Sequence, residues 1–298
     1  MNARVATRLA PLPAWEARFR VGDRFLRIFS DRADIRDHLQ RAYGRLRAEH
    51  SELPVSVDSG SIGWDGASAM LTFGGERLPR IEGTATPLDA AVRGAATLFG
   101  MTFRRMRTHR ALYAAGAVAG SRAFALVAPS GSGKTTLLLE LLRRGWTTLG
   151  DEFILLDRET LVAQPFPLGL AVRETSLPLC ADPRVGAACA AAPATGSPGS
   201  RTFHHIDIAS TFGPWAIAGP LPLTHVVLLE RTPGAEPKLE RMPGSVAALR
   251  ALPNFFIDDV AMTDIWETVD AVSRLSCYRL AAPDCHAAAD LLETLARG

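Results

Sequence analysis

The sequence predicts an α/β protein built around a phosphate-binding loop, with a smaller α+β module ahead of it. Three observations carry the prediction. Phe124-Ala125-Leu126-Val127 is a strand-like apolar run that enters the small-residue loop Ala128-Pro129-Ser130-Gly131-Ser132-Gly133, and a helical pattern follows from Lys134 to Arg144. Strand, loop and helix in that order are the setting in which such a loop cradles a polyphosphate. Apolar runs then alternate with helical patterns to the C-terminus, the order of an α/β sheet. Residues 1–85 instead read as short alternating pieces around one helix, so the chain divides into an α+β module over 1–85 and a nucleotide-binding domain over 86–298.

Residues 15–30 alternate apolar and polar side chains around Gly22-Asp23, which predicts a β-hairpin. Ile35, Leu39, Ala42, Tyr43 and Leu46 fall at helical spacing within 34–49, an amphipathic helix. Short β-like pieces separated by Gly, Asp and Ser turns fill 53–82. Thr86-Pro87 is a helix start, with the threonine as N-cap, and the pattern runs to about Thr108. Its basic end, Arg104, Arg105, Arg107 and Arg110, suits the negative pole of a helix dipole or, alternatively, an anion. Ala111–Gly120 and Arg122–Val127 read as two strands joined by a Gly-Ser turn. After the loop helix, Gly145 is a C′ residue, and 147–150 and 153–157 are strands. The small, Pro/Gly/Ser-rich stretch 180–200 reads as a lid or an unstructured insert. Residues 223–230 form a buried strand, 243–252 and 258–275 are helical, 277–280 is a strand and 284–296 a final helix.

The composition bounds the function. The 298 residues are 47% hydrophobic and 21% charged, ordinary globular values. A net charge of +2 gives no electrostatic reason to bind nucleic acid or a membrane surface, so neither is an expected partner. Cys180, Cys189, Cys277 and Cys285 show no metal-ligand spacing. The N-terminal residues lack the apolar segment of a secretory signal, and no run of ~18 apolar residues exists, so the expectation is a cytoplasmic chain with free thiols.

The chemistry begins at the loop. Backbone N–H groups of Ser130, Gly131, Ser132 and Gly133 and the helix N-terminus face an anion together. Lys134 supplies a cation for the β- and γ-phosphates, Thr135 a hydroxyl for Mg²⁺, and Thr136 the next N–H. The usual first glycine is Ala128 here, tolerable if its φ stays negative. One short strand later stands the acidic pair Asp151-Glu152. Two adjacent carboxylates can divide labour, one holding metal and the other accepting a proton from an attacking hydroxyl. Asp157 and Glu230 also end apolar runs, but each reads as an ordinary strand-end charge, and His204-His205 as structural histidines. Arg201 is a further possible phosphate contact. No LSGGQ-like signature or N-K-x-D motif is present, which excludes ABC-type and G-protein readings.

Ala111 to Asp157 resembles the catalytic core of the HPr kinase/phosphorylase family and its related kinases. The resemblance lies in the glycine-bearing strand pair, the loop Ser130-Gly131-Ser132-Gly133-Lys134-Thr135, the run Leu141-Leu142-Arg143-Arg144-Gly145 and the pair Asp151-Glu152. Pro165-Phe166-Pro167-Leu168 through Ser176, and the stretch 223–237, are similar as well. The resemblance implies a phosphate-loop kinase core with a mixed β-sheet, related to phosphoenolpyruvate carboxykinase. It implies transfer of phosphate from ATP, with Mg²⁺, to a serine hydroxyl of a peptide or protein, by a homo-oligomer. Asp151 would be the base, Glu152 the metal-side acid with Thr135, and Lys134 the phosphate-binding cation.

The chain also departs from the family. Tyr113 stands where the bifunctional enzymes carry histidine before the loop, which removes the expectation of phosphorolysis. Glu152 replaces an aspartate, and the E-I-R-G-x-G segment is absent. Its counterpart is Arg173-Glu174, from which Arg173 is carried over as a phosphate clamp. The chain therefore resembles the related peptide-modifying kinases, including those of lasso-peptide pathways, more than the sugar-regulation enzyme, and a ribosomal precursor peptide is the expected acceptor. A small-molecule kinase, and a nucleotide-dependent binding module without transfer, are the alternatives.

Overall fold

The computed structural model describes residues 15–48, 56–84, 86–192, 194–195, 202–257 and 262–298. The hairpin forms where its turn residues demand: β1 (Glu16–Val21) and β2 (Arg24–Phe29) pair antiparallel around Gly22-Asp23, with Gly22 at φ 59°. Helix α1 (Ala33–Tyr43) buries Ile35, Leu39 and Ala42 and passes into a 3-10 turn at Gly44–Leu46. β3 (Val57–Trp64), β4 (Ser68–Phe73), β5 (Glu76–Arg77) and β6 (Ile81–Glu82) complete a six-stranded sheet in which β2 and β3 run parallel. The start of the strand expected at residue 53 lies outside the described residues. Helix α2 (Pro87–Arg104) is capped as predicted, its Asp89 N–H donating to Thr86 Oγ1 at 3.1 Å.

The second part begins with β7 (His109–Tyr113), β8 (Ala115–Ala119) and β9 (Arg122–Val127), followed by α3 (Lys134–Arg143). Helix α3 ends in a Schellman motif: Trp146 N–H reaches Leu141 O at 3.0 Å and Gly145 N–H reaches Leu142 O at 3.1 Å, with Gly145 at φ 88°. β10 (Thr147–Gly150), β11 (Phe153–Asp157), β12 (Val162–Gln164) and β13 (Leu170–Arg173) lead to α4 (Pro183–Ala191). β14 (Ala194–Thr195), β15 (Phe203–Ile206), α5 (Ile208–Phe212), β16 (Leu221–Arg231) and β17 (Lys238–Arg241) follow. The chain closes with α6 (Gly244–Ala251), α7 (Met262–Ser273), β18 (Ser276–Ala282) and α8 (Cys285–Arg297).

The central sheet is mixed. β9, β16 and β18 run parallel, β8 and β10 add antiparallel on one side, and β17 on the other. Alternation along β9 explains its continuous apolar run. Phe124 and Leu126 face a cluster under α3 and α8, whereas Ala123, Ala125 and Val127 face α6 and α7. Both faces are thus covered, as parallel strands require, and each fully buried large side chain contributes about 1.5–3 kcal/mol. A second antiparallel group, β7-β11-β12, joins this sheet where β12 meets the start of β16. Its inner face shares one cluster with the N-terminal sheet: Phe153 and Phe166 pack with Phe99 and Phe103. β13, β15 and β14 make a small third sheet.

Two expectations need correction. The run Ala111–Gly120 is not one strand: it breaks at Ala114, β7 pairing with β11 and β8 with β9 and β10. No Gly or Pro marks the break, because tertiary pairing sets it. The first half of 180–200 is not a lid loop. Asp182 caps α4 by accepting from Arg184 N–H at 2.9 Å, and Val185 and Cys189 are fully buried one turn apart. Residues 193 and 196–200 of that stretch lie outside the described residues. Among the described residues, no helix is long and apolar enough to cross a membrane.

Candidate active site

β9 ends at Val127 and the loop turns back over the start of α3 through two left-handed glycines, Gly131 (φ 90°) and Gly133 (φ 95°). Ala128, at the usual glycine position, keeps a negative φ and is buried, so the methyl group is accommodated. Lys134, only 6% exposed, folds back under the loop. Its Nζ donates to Ala128 O at 2.7 Å and Pro129 O at 3.2 Å, and it sits 4.4 Å from the ring centroid of Tyr113. Burial draws its pKa down, while Asp151 and Glu152 draw it back up.

The acidic pair reaches the loop through a β-bulge. The β10–β8 register shifts between Thr148 and Gly150. Thr148, fully buried, fixes the bulge: its hydroxyl donates to Gly116 O at 2.6 Å and accepts from Gly150 N–H at 3.0 Å. Gly150 adopts φ 143°, and a Cβ there would stand 2.6 Å from Phe166 O. The chain then crosses from one strand group to the other, and Ala114 N–H donates to Glu152 O at 3.1 Å. The break between β7 and β8 and the turn between β10 and β11 thus lie side by side, and Asp151 and Glu152 occupy that seam.

Thr135 Oγ1 donates to Asp151 Oδ2 at 2.8 Å, which ties loop to acid. Asp151 is 2% exposed and its Oδ1 has no hydrogen-bond partner among the described residues. Burial raises its pKa to about 6, against the opposing pull of Thr135 and Lys134. Glu152, partly open to the cleft, is pushed to about 7 by burial and then by the Asp151 charge.

A cavity of about 300 Å³ collects the loop, Tyr113, both acids, Arg173, Thr175 and Arg231. Arg173 ends β13 and lays its guanidinium over the loop. Nη2 lies 3.4 Å from Ser130 Oγ, and a Cβ on Gly131 would meet Nη1 at 3.1 Å. Ser130, Gly131, Gly133, Lys134, Thr135 and Thr136, together with Asp151, Glu152 and Arg173, fall around this one space, while Ser132 lines a neighbouring apolar recess instead. Thr148, Tyr113 as the floor beneath Lys134, and Arg231 at the end of β16 were not selected as site residues from sequence. Arg231 follows Glu230 at the end of a strand parallel to β9, a position at which α/β sheets present ligand contacts.

The rejected acids are explained. Asp157 Oδ1 accepts from Thr160 N–H (2.8 Å) and its hydroxyl (2.7 Å), closing a turn. Glu230 is held by Arg279 at 2.6 Å. His205 packs edge-on against buried His38, with ring centroids 5.1 Å apart, away from the loop cavity. Arg201 lies outside the described residues.

The donors fit Mg²⁺ in kind. They are hard oxygens: Thr135 Oγ1 and the Glu152 carboxylate line the same cavity as the phosphate loop. Among the described residues no group of three or more His, Cys, Asp or Glu could hold a metal ion. Mg²⁺ in nucleotide sites takes one or two carboxylates and completes its shell with phosphate and water oxygens.

No protein-family model matches the chain, and no curated protein is significantly similar to it. Among solved structures, the chain is similar to the Hpr(Ser) kinase/phosphatase from Coxiella burnetii, at 16% sequence identity. The match covers 63% of this chain and 93% of that chain, with a TM-score of 0.30. A superposition that loose carries no argument about what this chain does.

Proposed function

We propose that the chain is a Mg-ATP-dependent kinase that transfers the γ-phosphate to a serine hydroxyl of a peptide or protein. The observation that carries the reading is the contact of Thr135 Oγ1 with Asp151 Oδ2 at 2.8 Å, beside an Oδ1 with no hydrogen-bond partner among the described residues. It joins a polyphosphate cradle to a buried carboxylate whose pKa of about 6 suits a base at neutral pH.

In this reading Lys134 exchanges its loop carbonyls for phosphate oxygens, and the glycine N–H groups hold the β-phosphate. Thr135 and Glu152 would hold Mg²⁺, which would supply charge neutralisation at the phosphates. Asp151 accepts the proton of the serine hydroxyl as its oxygen bonds to the γ-phosphorus. The bond from that phosphorus to the β–γ bridging oxygen breaks, and ADP leaves with the electron pair. Arg173, over the loop, steadies the transferred group. A base in this role contributes about 10²–10⁴-fold.

The test is incubation of the full chain with Mg²⁺ and γ-labelled ATP against serine peptides and a metabolite panel. Phosphoserine formed by the wild-type chain and lost in Asp151→Asn, with nucleotide binding kept, supports the proposal. Label on a metabolite alone favours a small-molecule kinase. Nucleotide binding without turnover across all acceptors favours a binding module.

A further inference from the structure

The basic end of α2 is more than a helix-dipole effect. A groove of about 540 Å³ is lined by Arg24, Arg104, Arg105, Arg107 and Arg158, with Asp264 its one lining acid among the described residues. A dipole accounts for cations in the last turn of α2. It does not account for Arg24 arriving from the hairpin turn and Arg158 from the end of β11.

These side chains are held in place. Asp58 of β3, its side chain 2% exposed, accepts from Arg24 Nε at 2.7 Å and Nη2 at 3.0 Å, and from Arg105 Nη1 at 2.9 Å. Arg105 also stacks on Phe73, 4.5 Å from the ring centroid. Arg158 is paired with Asp264 and reaches Met106 O at 3.4 Å. Arg104 and Arg107 are exposed and, among the described residues, their guanidinium groups make no hydrogen bond or ion pair. Behind the groove, burial and then the Arg158 cation push the pKa of Arg110 down, against the opposing pull of Glu267 and Asp264. The groove thus concentrates positive charge on a chain whose net charge is only +2.

We propose that this arginine groove binds a carboxylate-rich segment of the protein or peptide acceptor. Guanidinium forks match carboxylates in bidentate geometry, and an open groove fed by three separate elements suits an extended segment rather than one compact anion. β7 and β11 connect it to the active site: each spans five residues, with Tyr113 or Phe153 at the catalytic end and His109 or Asp157 at the groove end. At ~3.3 Å per residue the two sites stand roughly 15 Å apart, so the acidic run lies at least about five residues from the acceptor serine. The acceptor role rests on the kinase proposal; the binding itself does not.

Fluorescence anisotropy of a labelled octaglutamate peptide on the full chain tests it, with octaglutamine as control and labelled ATP as a separate readout. Octaglutamate binds selectively and weakens as salt rises from low to physiological strength. Arg104→Glu with Arg107→Glu weakens it at least tenfold, equivalent to about 1.4 kcal/mol, and leaves ATP affinity within about twofold. Equal binding of octaglutamine, or no change in the double variant, overturns the proposal. So does displacement by low-millimolar inorganic phosphate, which would make the groove a small-oxyanion site. Loss of phosphate transfer to every acceptor, with octaglutamate binding intact, would refute the kinase reading and leave the groove standing.

Discussion

Asp151 is predicted to destabilise the fold that it serves. Its carboxyl is 2% exposed, and burial lifts its pKa from 3.8 to about 6. Each pKa unit is worth about 1.4 kcal/mol, so ionising Asp151 in the folded chain costs about 3 kcal/mol. Below pH 3.8 both states keep the proton and the cost is zero. As pH rises to about 6 only the unfolded chain loses it, so stability falls; above that the folded chain ionises too and the full cost remains. Asp151→Asn removes the charge and keeps an oxygen for Thr135. It also places an amide where Oδ1 has no partner, which returns about 1–2 kcal/mol. The net gain is about 1–2 kcal/mol at pH 7.5, or a Tm increase of about 2–4 °C, falling to about zero near pH 5 and reversing to a loss at lower pH, where only the amide penalty remains. Relief of Glu152, whose pKa the Asp151 charge raises, adds in the same direction. Thermal unfolding of the nucleotide-free chain in chelator, followed by circular dichroism at pH 5 and 7.5, measures it. A variant less stable than wild type at pH 7.5, or a difference that does not change with pH, would refute the reasoning. The same variant should lose phosphate transfer, the trade expected of a strained catalytic group.

Three further outcomes follow from the same geometry. Because Glu152 sits near pKa 7, a metal must displace its proton at lower pH; the Mg²⁺ concentration for half-maximal turnover should rise steeply below pH 7 and level off above it. Gly150→Ala forces a side chain onto φ 143° and against Phe166 O at 2.6 Å. It should cost about 2–4 kcal/mol in urea unfolding. Thr148→Val deletes the hydroxyl that fixes the bulge, with about 1–3 kcal/mol lost; kcat should fall more than nucleotide affinity, as steady-state kinetics beside labelled-nucleotide titration will register.

The legible parts of the sequence were those with local causes. Gly22-Asp23 marked the hairpin, Thr86-Pro87 the start of α2, and Gly145 the end of α3, because each places a residue with one backbone preference at one backbone requirement. The loop and Asp151-Glu152 were legible as chemistry, and the fold brings them to hydrogen-bonding distance. The break at Ala114 was not, since ALYAAGAVAG is uniformly small and only its partners β9, β10 and β11 decide where it divides. Composition misled over 180–192. Asp182-Pro183 was a helix start in plain view, but the flanking Ala and Gly residues read as loop. The convergence of Arg24, Arg105 and Asp58 spans more than eighty positions of chain, which no local pattern can report.

The seam between the two strand groups has a mechanical meaning. A continuous sheet resists bending across its strands because every hydrogen-bonded pair must shear together. Here the chain crosses between the groups at Ala114 and again at Asp151-Glu152, and Ala114 N–H to Glu152 O bridges the crossings. The β12–β16 pairing ties the two groups together elsewhere, so the seam is a local interruption rather than a free edge. The carboxylate pair sits on that interruption rather than within either ladder, so its place beside the cradle is set by both groups at once.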